Sequence, residues 1–463
     1  MQKQAIPHHN ISGVMPHLAV KAGHLPVRSE TGIGGLMPWA NRLWFVTYVA
    51  HKRRTGDGTG LFSVDDGMNL TKHPESVVGT YANRMIHNES NQLFIGPHAI
   101  DIDGNIRTIV PLVDIRITAT CRHLTDPANK VYMLGMEGEF AEVDVNTLEV
   151  RILADLKQEL AMGEHCRPHF KDAYTAHGRV VVANNSYYAS DFLRGHSDGR
   201  LAEWDGKVWT VLERTQFNTT TGRLAGDMGE AIYAVGQDRA SALLKVFLPS
   251  TGWRNYRLPK ATHTQDHAWT TEWPRIREIE SERWMVDASG LFYELPAMTY
   301  ADAVWGLRPV CSHLRIVGDY CSWNGLLVMA GDQTTPNGDS NPYVGQPQAN
   351  LWFGKSDDLW QWGKAIGWGG PWWETAVKAG EPSDPYLMTG FEHKCLHVRH
   401  DGGDGARVTV QVDFMGQGQW VDYETLTLKG GYACHVFPTG FSAHWARVVA
   451  DRSGTATAQF VYT

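Results

Sequence analysis

The chain has 463 residues, enough for one large domain with a small companion. Its net charge of −8, from 42 basic and 50 acidic residues, argues against a protein held to nucleic acid by its overall field. A content of 43% hydrophobic and 20% charged residues is a globular balance, and no apolar run approaches the roughly 18–20 residues of a membrane helix.

The opening residues, MQKQAIPHHNISGVMPHLAV, hold neither an apolar core nor a small-residue cleavage site, so they do not read as an export signal; a signal already trimmed leaves no trace. Short β-rich runs then follow one another with turn chemistry between them. NRLWFVTYVA precedes GTGLFSVDD, then come QLFIGPHAIDIDGNIRTIV and KVYMLGMEGEFAEVDVNTLEVRIL, each closed by an Asp-Gly or Asn-Thr turn. GRVVVANNSYY, GRLAEWDGKVWTVLE, AIYAVGQDRASALLKVFLPSTGWRNYRL, RWMVDASGLFYELP, GLLVMAGDQ and ANLWFGKSDDLWQW continue the pattern. With 47 Gly, 18 Trp and almost no stretch of helical period, the chain reads as all-β.

A polar residue before each strand pair gives the repeat: His87, His123, His169, His267 and His313 stand 36, 46, 98 and 46 residues apart. A period of about 40–50 residues with four strands each is that of a β-propeller. Counting from Gly35 places blades near 35, 84, 121, 168, 222, 268 and 313, a seven-bladed propeller over residues 1–380, with HNISGVMPHLAV supplying a closing strand to the last blade. After the linker AGEPSDP, residues 385–463 alternate in CLHVRH, ARVTVQVDF, QWVDYETLTL, ARVVAD and TAQFVYT, a small antiparallel sandwich-like module with no catalytic grouping. The six cysteines are scattered without a C-x-x-C pair, which argues against a zinc ribbon and for buried free thiols.

In a propeller, the loops entering the innermost strands and those between second and third strands converge on one face. On that reading the funnel receives Arg84, His87, His98, Arg122, His123, His165, Arg167, His169, Tyr187, Tyr188, Arg223, His263, His267, Trp269 and His313, a polar cationic ring suited to an anionic ligand. His87 and His313 read as structural. The paired spacings His165/His169 and His263/His267 lie outside any helical pattern, so a zincin-like site is not expected. No G-x-S-x-G occurs, and Glu137/Glu139 do not make a glycosidase carboxylate pair.

The stretches TYANRMIHNESNQLFIGPHAIDIDGNIR, TCRHLTDPANKVYMLGMEG, HFKDAYTAHGRVVVANNSYY and GRLAEWDGKVW resemble a family of seven-bladed propellers that cut rhamnose from rhamnosyl-α-1,4-glucuronate caps on arabinogalactans such as gum arabic. The resemblance spans roughly residues 10–375. It implies one of two chemistries, β-elimination across C4–C5 of the glucuronate in the anterior funnel, or hydrolysis by an α-L-rhamnosidase from a posterior site built around a histidine. A funnel of His, Arg and Tyr favours the lyase, which needs a base for the C5 proton, a cation for the carboxylate and an acid for O4. The resemblance implies His123, in TCRHLTDP, as the main base or acid, and blade position makes His98, Arg167 and Tyr187 or Tyr188 its companions. Arg167, His169, Arg223, His267 and Trp269 are expected to bind substrate. His51 and His24 are the histidines a hydrolase would use, and a non-catalytic carbohydrate-binding propeller would stack sugar on Trp269, Trp273 and Tyr187. The expected partner is a rhamnose-capped acidic saccharide, with neither nucleic acid nor membrane. No cofactor is needed for the chemistry, and the relatives suggest a structural calcium ion in the channel.

Overall fold

The computed structural model describes residues 13–18, 20–21, 31–49, 58–186, 198–222, 231–262, 273–281, 283–296, 303–334 and 347–463. Between residues 31 and 354 the chain forms seven consecutive antiparallel sheets. Each is a meander whose first strand lies innermost: Thr31–Trp39, Arg84–His87, Ile117–Arg122, Phe170–Ala176, Gln216–Gly222, Arg275–Glu280 and Val317–Trp323. These seven strands touch one another in sequence, and the seventh returns to the first. The protein is thus an all-β propeller. Gly13–Val14 and Val20–Lys21 pair with the outer strand Pro347–Gly354, in the register Gly13↔Phe353 and Val20↔Ala349, so the chain's beginning completes the sheet that ends the ring.

Two features of sequence allow the innermost strands to crowd together. Small residues sit where backbones meet: a Cβ on Gly34 would lie 2.1 Å from the Tyr81 carbonyl oxygen, and one on Gly318 2.1 Å from that of Ile33. A slip in register near the start of the innermost strand, at Ile33/Gly35, Ile117/Ala119, Phe170/Asp172, Phe217/Thr219 and Val317/Tyr320, bends the strand and re-aims the residues that follow. Between the sheets the alternate side chains form apolar layers, such as Trp44, Val46, Leu93, Ile95, Val131 and Met133 between the first three. Each fully buried Val, Leu or Ile contributes about 1.5–3 kcal/mol.

The C-terminal strands make a sandwich. One sheet runs in the order Gly367–Val377, Gly454–Tyr462, Lys394–His400, Tyr432–Val436. Gly367–Val377 therefore belongs to this module, because its Trp and Gly residues pair with the last strand; in the sequence they stand before the linker. The facing strands Tyr386–Leu387, Trp445–Ala450, Arg407–Asp413 and Val421–Thr427 extend the fifth propeller sheet to eight strands through a parallel pairing of Tyr386 with Arg257. The join is charged as well as apolar, since Arg257 bonds Asp238 at 2.8 Å and Asp384 at 2.9 Å. Leu396, Val410, Val448 and Phe460 share one apolar cluster with Leu244 and Trp284 of the propeller. Among the described residues no helix is long and apolar enough to cross a membrane.

Candidate functional site

The ring of innermost strands encloses a cavity of about 700 Å³. Met37, Arg84, Thr120, Asp172, Thr220, Arg277 and Cys321 line it, one from each innermost strand. Because the lining reaches Arg122, Gly222 and Glu280, the last residues of their strands, this cavity is the outlet half of the central channel.

Its wall is charged. Asp319 is fully buried, accepts hydrogen bonds of 2.8 Å from Arg277 Nε and the Leu36 amide, and forms an ion pair of 2.8 Å with Arg84 Nε. Burial pushes its carboxyl up, but the Arg277, Arg84 and Arg275 guanidiniums outweigh that and hold it below the usual range. Arg84 is spent, its remaining nitrogens donating to Met37 Sδ and the Tyr320 carbonyl. Arg277 is not: Nη1 donates to the Ile276 carbonyl, while Nη2 donates to no described residue. Arg275, behind it, donates to the carbonyls of Gly318 and Pro274 and keeps a buried Nη2 without a hydrogen-bond partner among the described residues. Burial, then repulsion from Arg277, lowers its pKa to about 10, which leaves it charged at neutral pH.

Asp172 is the second channel carboxylate. It touches the cavity yet is hemmed in by protein, so burial raises its pKa despite Arg277 and Arg275. Thr219 Oγ1 and the Thr220 amide bond its Oδ2 at 2.7 and 3.2 Å. Arg84, Arg122 and Arg277 on the lining are matched by Asp172, Glu278 and Glu280, so the wall turns positive only as Asp172 takes up a proton. Asn83 Oδ1 and Thr220 Oγ1, on the same lining, are buried without partners among the described residues. Such orphans are what a polar ligand would satisfy.

A calcium ion does not fit this wall. It requires six to eight oxygen ligands, whereas Asp319 is committed to Arg84, Arg277 and the Leu36 amide, and among the described residues no three carboxylate, imidazole or thiol groups come together in the channel. The described channel residues therefore offer no calcium cage.

The histidines expected at one funnel position are divided between its ends. His87 and His123 stand at the outlet ends of their innermost strands, whereas His169 and His313 stand at the inlet ends of theirs. The strand between is about 3.3 Å per residue long, so equal sequence spacing did not mean equal height. His123 is a staple for its turn: Nδ1 accepts from the Thr125 and Asp126 amides, Nε2 donates to Glu142 Oε2 at 2.8 Å, and the ring lies 4.3 Å from that of Tyr132. Both nitrogens are engaged, and His123 does not line the cavity. His98 follows the turn at Gly96 into the third strand of its sheet, one strand away from the second and two from the channel. There it is buried against Thr108 Oγ1, and burial first, then His73, lowers its pKa to about 4.

Arg167 is exposed ahead of Phe170–Ala176 and has no ion-pair partner among the described residues. His169 clamps the inlet, its Nδ1 donating to Asn185 Oδ1 and its amide donating to Ser186 Oγ at 2.8 Å. Trp273 is not open to sugar: it is buried 4.7 Å from the Tyr48 ring, with Lys171 and Arg275 cations over its faces at 4.5 and 4.9 Å. His87 and His313 are structural, bonding Pro127 O and Asp287 Oδ1 at 2.7 and 3.1 Å. Tyr187, Tyr188, Arg223, His267 and Trp269, with His24 and His51, lie outside the described residues. The residues that sequence reasoning missed are Asp172, Arg275, Arg277 and Asp319. The signal for the arginines was the alternation in RIRE, which sets Arg275 and Arg277 on one face of an innermost strand.

No family model and no curated protein matches the chain. Solved structures similar to it include the β-propeller domain of Cps50 (Swd1) from Myceliophteria thermophila, at 12% identity and a TM-score of 0.41, covering 72% of this chain and 98% of that one. The U3-55K structure is similar at 9% identity and a TM-score of 0.38, over 73% and 99% of the two chains. A computationally designed protein, Ika8, is similar at 12% identity and a TM-score of 0.37, over 69% and 83%.

Proposed function

We propose that the protein is a polysaccharide lyase that removes terminal L-rhamnose from rhamnosyl-α-1,4-glucuronate caps by β-elimination in the central channel. The observation that carries this reading is the guanidinium of Arg277 on the cavity wall, whose Nη2 donates to no described residue. Abstraction of the C5 proton of a uronate builds a second negative charge beside its carboxylate. A guanidinium that binds the carboxylate more tightly as that charge grows lowers the barrier. Burial raises the pKa of Asp172, which favours its protonated form as the acid for the departing O4. The C5 proton goes to a tyrosine acting as its phenolate, Tyr174 on the cavity wall or the sequence-expected Tyr187 or Tyr188, which thereby becomes the neutral phenol.

Hydrolysis is less well supported. It needs two working carboxylates flanking the bond; Asp172 is the one inside the cavity, Glu278 and Glu280 stand at the outlet end of their strand, and Asp319 is spent on Arg84, Arg277 and the Leu36 amide. The test compares the capped disaccharide as free acid and as uronate methyl ester. The ester, lacking the charge that the arginines hold, should turn over about 10²–10³-fold more slowly, and Asp172→Asn should lose about 10²–10⁴-fold on the free acid. Equal turnover of acid and ester overturns the carboxylate role of the channel.

A further inference from the structure

The C-terminal sandwich carries a cluster remote in kind from the channel. Lys394–His400 pairs with the edge strand Tyr432–Val436 so that His397 stands opposite Cys434 and Arg399 opposite Tyr432. Lys394, Leu396 and Val398 point into the core, so Cys395 and His397 face outward by simple alternation. On the partner strand Tyr432 and Cys434 share that outer face. The register therefore gathers two thiols, an imidazole and a phenol that are separated by up to 39 residues in the chain.

Cys395 Sγ lies 3.6 Å from His397 Nε2 and 3.3 Å from Cys434 Sγ, and all three ligand atoms are within 4.8 Å of one another. For tetrahedral zinc, with Zn–S of about 2.3 Å and Zn–N of about 2.0–2.1 Å, the corresponding separations are roughly 3.5–3.6 Å for S···N and roughly 3.8 Å for S···S. The first is met as it stands, and the second needs an opening of about 0.5 Å, small for a side chain on a solvent-facing strand. Both thiols are free. A separate observation concerns the imidazole: the Tyr432 hydroxyl bonds Nδ1 at 2.9 Å, the outer-shell partner that fixes a ligand histidine and leaves Nε2 for the metal. Val436 and Val461, opposite Cys395 on either side, give the site an apolar rim.

We propose that Cys395, His397 and Cys434 form a zinc site on the outer face of the C-terminal sandwich, with the fourth position open to solvent or to a donor from another molecule. Two thiolates and a neutral imidazole suit a borderline-soft dication and exclude calcium or magnesium. Three protein ligands with an open position differ from the closed four-ligand set of a structural site. Binding releases the two thiol protons to solvent, and no electron transfer is involved.

The test uses the full-length, fully reduced chain with Zn²⁺ in competition with a chromogenic chelator, and with Co²⁺ as a spectroscopic probe. One zinc per chain should bind, and Co²⁺ should show thiolate-to-metal charge transfer with the strong visible bands of a tetrahedral ion. Cys434→Ser, on an exposed edge, should abolish both without loss of fold. Tyr432→Phe should weaken zinc about tenfold while keeping the cobalt spectrum. Equal zinc uptake by the native chain and by Cys434→Ser overturns the site, as does a cobalt spectrum without thiolate character.

Discussion

Replacing Asp319 by Asn keeps the side chain's volume and removes its charge, and the structure fixes what that costs. The carboxylate is fully buried and holds Arg84 and Arg277, each at 2.8 Å, so the variant leaves two guanidiniums in the wall without their counter-ion. Breaking a buried pair of this kind costs about 3–5 kcal/mol. An unfolding entropy of about 2.1 cal/mol/K per residue gives roughly 1 kcal/mol/K for a chain of 463 residues, so the melting temperature should fall by about 3–5 °C. The pH dependence adds a second signature. The Asp319 carboxyl titrates below its unfolded value of about 3.9, so its contribution is fully present above that pH and is lost as pH falls through the lower folded value. The deficit of Asp319→Asn should therefore be constant between pH 8 and 5 and shrink in stronger acid. Asp172→Asn is the comparison: its pKa is raised by burial, so the site already favours an uncharged group there, and the loss should stay within about 1–2 kcal/mol. Thermal unfolding followed by circular dichroism measures both. Equal melting temperatures for Asp319→Asn and the native chain would refute the view that Asp319 holds the channel wall together.

Three further outcomes follow from packing and titration. Gly318→Ala should destabilise by at least about 1–3 kcal/mol, because its Cβ would meet the Ile33 carbonyl oxygen at 2.1 Å, whereas Gly163→Ala, with open space around it, should be silent in the same melts. His123→Ala should cost about 1–3 kcal/mol of stability through the lost turn bonds while turnover per folded molecule stays near normal; a loss of turnover at unchanged stability would restore His123 to the chemistry. His98 is buried neutral with a pKa of about 4, so it binds a proton more readily when unfolded, and stability should decline as pH falls from about 6.5 towards 4. Chemical denaturation of His98→Asn across that range should show a flatter slope than the native chain, and identical slopes would contradict the assignment.

The propeller was legible because its evidence is repetitive: turn pairs, alternating apolar runs and a period near 46 residues recur along the chain. The site was less so. The histidines were conspicuous in the sequence, yet His98 and His123 serve local hydrogen bonds, a use that depends on which residue starts each strand. Counting placed the sixth innermost strand near residue 268, whereas it begins at Arg275, and that offset hid Arg275 and Arg277 as channel residues. Asp172 and Asp319 follow slips in register near the starts of their strands, and alternation alone could not assign them a face. The Cys395, His397 and Cys434 cluster was invisible for a different reason. Its ligands meet through strand register across 39 residues, and no short motif encodes that.

The central claim, elimination of a rhamnose cap in the channel, is tested most directly by the stoichiometry of its products. Incubating the purified chain with a rhamnosyl-α-1,4-glucuronate-capped oligosaccharide, free rhamnose is measured beside the ultraviolet absorbance of a 4,5-unsaturated uronate. The account predicts the two in equal amounts, both lost in Asp172→Asn. Rhamnose released without absorbance, or neither product despite measurable binding, would contradict it.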